Sequence, residues 1–150
     1  MIRAAFIAGG VLIAAAIVLV TVAALKKPGV KTLTVTVAGH PFTAEVADTV
    51  VSHAKGLSGR DALAEGHAML FVFPYKKQQT FWMKGMLFSL DIIWVDGGRV
   101  VGIEENVPLD TNPVPKLYTS PGPVGMVLEV NGGVAAGLGI TVGDAVLVSE

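Results

Sequence analysis

The sequence predicts a mainly β fold: a compact antiparallel β-barrel or sandwich with one or two short helices, preceded by one transmembrane helix. Three features point that way. Several short segments alternate apolar and polar residues with a period of two, glycine-rich turns separate them, and no long helical pattern comes between them. The transmembrane helix is read from the N-terminus, where residues 4–25 carry no charge.

That run of 22 residues would reach about 33 Å as a helix, against a bilayer core of about 30 Å. The competing reading is a cleaved signal sequence, with Val22-Ala23-Ala24 as the cleavage site. A signal core is shorter, however, and Lys26 and Lys27 follow at once. Residues 1–27 therefore read as an N-terminal transmembrane anchor and 28–150 as one β-rich domain, since about 120 residues suit a single core. Arg3 and the terminal amine nearly balance Lys26, Lys27 and Lys31, so the positive-inside rule leaves the direction open.

Thr32 to Val37 alternates three threonines with Leu33, Val35 and Val37. Gly39 and His40 make a turn, and Phe42 to Val46 alternates again, which completes a hairpin. Asp48 or Thr49 can cap a short helix that Gly56 ends. Met69 to Phe73 is an apolar strand buried on both faces and closed by Pro74, after which the polar Tyr75 to Gln79 stretch reads as an exposed loop. Thr80 to Met83 and Leu90 to Val95 are further strands. Asp96-Gly97-Gly98 turns the second into Arg99–Glu105, because glycine accepts the positive φ such a turn needs. Met126 to Val130 and Ala145 to Val148 complete the set, with one or two helical turns over Val134 to Leu138 stopped by Gly139. Residues 106–125 hold five of the eight prolines and read as a long functional or covering loop.

Beyond Lys27 the chain has eight basic and twelve acidic residues, a net charge of 8 − 12 = −4, and the bases are scattered. Nucleic acid is not an expected partner, since phosphate binding needs a clustered positive field. With no cysteine, thiolate catalysis, disulfides and Cys-type metal sites are excluded. His40, His53 and His67 lack metal-ligand spacing and read as solvent-facing, so no metal and no cofactor is expected. No nucleophile elbow, phosphate loop, H-E-x-x-H or dinucleotide fingerprint occurs, and no catalytic residue is assigned.

Asp91 is the most informative residue. Alternation places it with Ile93 and Val95, while Leu90, Ile92 and Trp94 take the other face, and a carboxylate among apolar side chains needs a cation or several donors. Glu129, beside Val127 in Met126 to Val130, poses the same requirement. Arg60 and Lys84 are the available cations, so Arg60, Lys84, Asp91 and Glu129 are expected to cluster near a pocket that includes Trp82 and Met83. The bland alternative is a set of ion pairs that pins loops to the barrel. Phe81, Trp82, Met83 and Trp94 fit either an apolar groove or plain core.

The stretches GLSGR (56–60), MLFVFP (69–74), FWMKGMLFSLDIIWVD (81–96), YTSPGP (118–123), VLEV (127–130) and GITVGD (139–144) resemble, in this order, the domain of unknown function 192 family. The resemblance implies a compact β-barrel or sandwich, usually held outside the cytoplasmic membrane behind a signal or anchor, and implies no known activity. The recurring Arg60, Trp82, Lys84, Asp91 and Glu129 positions match the family pattern, and Tyr118 of YTSPGP joins the candidate site. The family usually has asparagine where this chain has Gly85 and methionine where it has Ser58.

The function expected first is a single-pass, membrane-anchored extracytoplasmic module that binds a small ligand by Trp82, Lys84 and the proline-rich loop. A structural protein that meets an envelope partner comes second, and a hydrolase-like enzyme using Asp91 or Glu129 third.

Overall fold

The computed structural model describes residues 29–150. The expected transmembrane helix over residues 1–27 lies outside them, and among the described residues no helix is long and apolar enough to cross a membrane. Seven strands and two short helices follow in the order β1 (Thr32–Val37), β2 (His40–Ala47), α1 (Val50–Lys55), β3 (His67–Trp82), β4 (Leu90–Asp96), β5 (Arg99–Val107), β6 (Leu117–Asn131), α2 (Val134–Leu138) and β7 (Val146–Ser149).

The strands form one sheet in the order β5-β4-β6-β3-β2-β1-β7. Its two edges meet at one end. Arg99 at the start of β5 bridges Ala145 just before β7, and Val100 exchanges backbone hydrogen bonds of 2.8 and 2.9 Å with Gly143 and Asp144. The sheet is thus a curled half-barrel. Side chains from all seven strands, among them Val35, Phe42, Leu70, Ile93, Val100, Leu128 and Val146, converge in one core, where Ala135 of α2 and Ile140 join them. A second core lies on the other face, where Met69, Phe71, Ile92, Trp94 and Val127 are covered by Leu57, Leu63, Met83 and Met86 from the connecting segments.

The β1–β2 hairpin forms as the alternation predicts, with Ala38 at φ 50° and Gly39 at φ 85° supplying the left-handed pair of a tight turn. His40 belongs to β2 and not to the turn. Thr49 is the N-cap of α1 and forms a reciprocal capping box with Ser52, while Gly56 ends the helix. The Asp96-Gly97-Gly98 turn and the helix over Val134 to Leu138 with Gly139 behind it also stand where the sequence puts them.

Three expectations are corrected. The sheet is not wholly antiparallel, because β2 and β3 pair in parallel. The long connection that carries α1 has the length a parallel crossover needs. Tyr75 to Gln79 is no loop: β3 runs unbroken through it, paired with β6, with register shifts between Val72 and Lys77 and between Gln78 and Thr80. Nor are residues 106–125 a single loop, since β5 continues to Val107 and β6 begins at Leu117. One physical cause underlies the last two. β2 pairs only Phe71 and earlier residues of β3, and β4 pairs only Met126 and later residues of β6, so beyond these points β3 and β6 form a two-stranded arm. Such an arm is wet on much of its surface and has no second neighbour to hydrogen-bond, which suits lysines and prolines.

Candidate functional site

The second face of the sheet carries a cleft of about 750 Å³ between α1, the turn after it and the β3–β6 arm. Phe71, Glu129, Phe73, Gln79, Phe81 and Trp82 line it from the sheet, His53, Lys55 and Leu57 from α1 and its turn, and Met86 and Leu117 from the remaining wall. A volume of this order is common among small-molecule clefts.

Local chemistry holds the walls. His53, expected to face solvent, is half-buried, and its Nε2 lies 3.0 Å from the Ala47 carbonyl and 3.1 Å from that of Val72. Carbonyls only accept, so Nε2 carries the proton and donates, which fastens α1 to β2 and β3. The His53 ring packs 4.6 Å from Phe73. Phe81 meets Phe71 at 4.9 Å and Trp94 at 5.5 Å, both edge to face. Gly56 turns the chain out of α1 at φ 49°, a backbone conformation that favours glycine.

The expected four-residue cluster does not form. Asp91 pairs across the sheet with Val130, whereas Glu129 pairs with Ile92. Directly paired residues point to the same face, so Asp91 and Glu129 occupy opposite faces of the sheet. Asp91 is fully buried and meets no cation among the described residues. It takes the other route open to a buried carboxylate, accepting from three backbone N–H groups: Asn106 at 2.6 Å and Gly133 at 2.9 Å on Oδ1, and Ala135 at 2.7 Å on Oδ2. It thereby ties β4 to the end of β5 and the start of α2. This corner is tight, for a Cβ on Gly132 would come within 2.9 Å of Ser89 Cβ and 2.7 Å of Asn106 Oδ1.

Arg60 instead makes a two-pronged pair with Glu45, at 2.6 and 2.7 Å. Its guanidinium holds the Glu45 carboxyl below the usual carboxylate range, chiefly through these hydrogen bonds. Lys84 is exposed and forms no ion pair among the described residues; its carbonyl accepts from the Ser58 hydroxyl at 2.9 Å. Gly85 follows at φ 74°, in the left-handed region that asparagine also tolerates, so the two residues can replace each other here on backbone grounds. Trp82 stands at the cleft rim and is 51% exposed, while Met83 and Tyr118 are buried in the second core. Lys116 Nζ lies 4.8 Å from the centre of the Tyr118 ring.

Glu129 is the exceptional group. It is only 5% exposed, faces the cleft, and meets no cation or hydrogen-bond donor among the described residues. Desolvation pushes its carboxyl up to about 8, so at neutral pH it is mostly the uncharged acid. Gln79, also on the cleft and 5% exposed, leaves its Nε2 without an acceptor. Its backbone N–H donates to Ser120 Oγ at 3.0 Å, and Ser120 Oγ donates to the Gly122 carbonyl at 2.7 Å. Nothing in the sequence marks Gln79 or Ser120, since both sit in polar stretches. Glu45 looks like an ordinary outward residue of an alternating strand. For Glu129 and Arg60 the composition of their segments was signal enough to single them out.

No curated protein matches this chain. Two solved structures share the fold. A protein of unknown function from Novosphingobium aromaticivorans DSM 12444 is 38% identical, with a TM-score of 0.73 over 81% of this chain and 89% of that one. A protein of Sinorhizobium meliloti 1021, described as a proposed transcription regulator, is 28% identical, with a TM-score of 0.75 over 81% of this chain and 97% of that one. The family model for DUF192, an uncharacterized ACR, matches residues 33–148, which is both helices and all seven strands but for Thr32 and Ser149 at the outer ends of β1 and β7. The chain belongs to the DUF192 family.

Proposed function

We propose that this protein is a membrane-tethered, extracytoplasmic binding module whose cleft takes a small, largely apolar molecule. The observation that carries the reading is the buried Glu129 carboxyl, left without a partner in the wall of an aromatic cleft. Beside it Gln79 Nε2 is sealed without an acceptor among the described residues; buried polar groups are normally satisfied, and one that is not, in a concave site, suits a partner from outside the chain. Asp91 supports no enzyme reading, because backbone donors engage both its oxygens on the opposite face. The regulator description of the Sinorhizobium protein finds no support in this domain's charge of −4 and scattered bases.

Tryptophan fluorescence tests the cleft. The chain has two tryptophans, of which Trp94 is buried and Trp82 stands at the rim. Titrating 4-phenylbutyrate into the full chain in lipid nanodiscs is expected to change the emission, and Trp82→Phe to abolish most of that change. An unaltered spectrum together with an unaltered melting temperature would remove the module. The tether has its own test: the full chain is expected to stay with the membrane pellet through an alkaline carbonate wash, and release into the supernatant with residues 1–27 attached would refute the anchor.

A second reading has one observation in its favour. Val50 and Tyr75, which line the cleft, are 84% and 82% exposed, an apolar rim suited to an envelope protein partner. Co-purification of a partner that Tyr75→Glu releases, without any response to 4-phenylbutyrate, would favour it.

A further inference from the structure

We propose that the cleft selects amphiphiles that bring a hydrogen-bond acceptor, uncharged or anionic, to Glu129 with their apolar body against Phe71, Phe73 and Phe81, and that it discriminates against amines. This rests on the binding-module reading and adds the class of ligand.

Each unmatched group of the cleft offers a donor at neutral pH. Gln79 offers an N–H from Nε2, which cannot accept. Glu129, uncharged below about pH 8, offers an O–H. Each is nearly enclosed, so a ligand that fills the cleft without supplying an acceptor would leave a desolvated donor unpaired. The charges nearer the mouth agree, since Lys55 and Lys77 outweigh Asp48.

Among the described residues no ion pair and no hydrogen bond holds Glu129 in its ionised form. Its cross-strand neighbours are Met69 on β3 and Ile92 on β4. One strand further lie Glu45, locked to Arg60, on β2 and Glu104 on β5, both acidic, about 10 Å away by sheet spacing. Across the cleft stand Asp48, then His53 and Lys55 of α1, and Tyr75 and Lys77 on the β3 arm; none of them makes an ion pair or hydrogen bond with Glu129. An ammonium ligand would pass two lysines to reach only the carbonyl oxygen of an uncharged acid, a weaker partner than a carboxylate, whereas an acceptor meets two donors.

The test compares 4-phenylbutyrate, 4-phenylbutan-2-one and 4-phenylbutylamine on the full chain in nanodiscs, by calorimetry against empty nanodiscs at pH 7 and pH 9. The acid stays anionic and the amine cationic at both. Both acceptor compounds are expected to bind, at least tenfold more tightly than the amine at pH 7. Their affinity should fall about tenfold by pH 9, as the protonated fraction of a group titrating near 8 drops from about ten elevenths to one eleventh. In Glu129→Gln, whatever its affinity at pH 7, the ratio between the two pH values should collapse to about one. Tighter binding of the amine, an affinity that rises with pH, or an unchanged pH ratio in Glu129→Gln would overturn the proposal and leave the module standing. Silence from all three compounds would end both.

Discussion

Asp91→Ala is expected to lower the unfolding free energy by about 3–6 kcal/mol, read from the midpoint and slope of urea denaturation. The magnitude comes from counting what the side chain satisfies. Three backbone N–H groups, of Asn106, Gly133 and Ala135, end on its two oxygens in a fully buried site, and each donor left bare costs about 1–3 kcal/mol, reduced where water can enter. The two residues contacted near α2 are its N-cap and its second helical position, so the carboxylate also favours the start of that helix. Asn106 sits at φ 45°, and losing its contact to Asp91 frees a strained end of β5. Asp91→Asn keeps the shape and one acceptor oxygen but turns an amide NH₂ toward at least one N–H, so about half the loss is expected. A change under 1 kcal/mol in the alanine variant would mean that these contacts contribute nothing net. Ligand binding should survive in any fraction that stays folded, because Asp91 and the cleft lie on opposite faces of the sheet.

Asp91 also shows how far the sequence alone reaches. One charge in LDIIWVD is conspicuous, the face it takes follows from alternation, and its need for converging donors follows from desolvation. Which groups answer that need is a matter of tertiary position, and two of them belong to the start of α2, some 40 residues away. Pairing Asp91 with Glu129 in one cluster failed for a related reason. Alternation within a strand tells which residues share a face, but only the register between β4 and β6 tells which face of one matches which face of the other. The hairpin at Gly39, the capping of α1 by Thr49 and the Asp96-Gly97-Gly98 turn were legible because their causes are local. The β3–β6 arm was not: strands with only one partner and wide contact with water have the composition of loops, and only their pairing distinguishes them. The parallel β2–β3 pair is likewise invisible to any local pattern.

Glu129 should make the protein less stable as the pH rises from about 4.5 to about 8. In the unfolded chain its carboxyl ionises near the ordinary 4.5, whereas in the folded protein burial holds the proton until about 8. Between these values the folded state binds more protons than the unfolded one, so the unfolding free energy falls with rising pH; the contribution is whole below 4.5 and spent above 8. The width of the window, 8 − 4.5 = 3.5, at about 1.36 kcal/mol for each pH unit, gives a loss on the order of 5 kcal/mol. Glu45 works in a different range. With its carboxyl held below 4.5 by Arg60, its stabilisation is present above 4.5 and fades only as the pH falls beneath that value, so it does not mask the Glu129 effect. Urea unfolding at pH 5, 7 and 9 is therefore expected to show a steep decline for the native chain and a much shallower one for Glu129→Gln, with the variant the more stable of the two at pH 9. Parallel declines would show that Glu129 ionises at no cost in the fold, through water entering from the cleft, and would withdraw the uncharged donor on which the selectivity for acceptors depends.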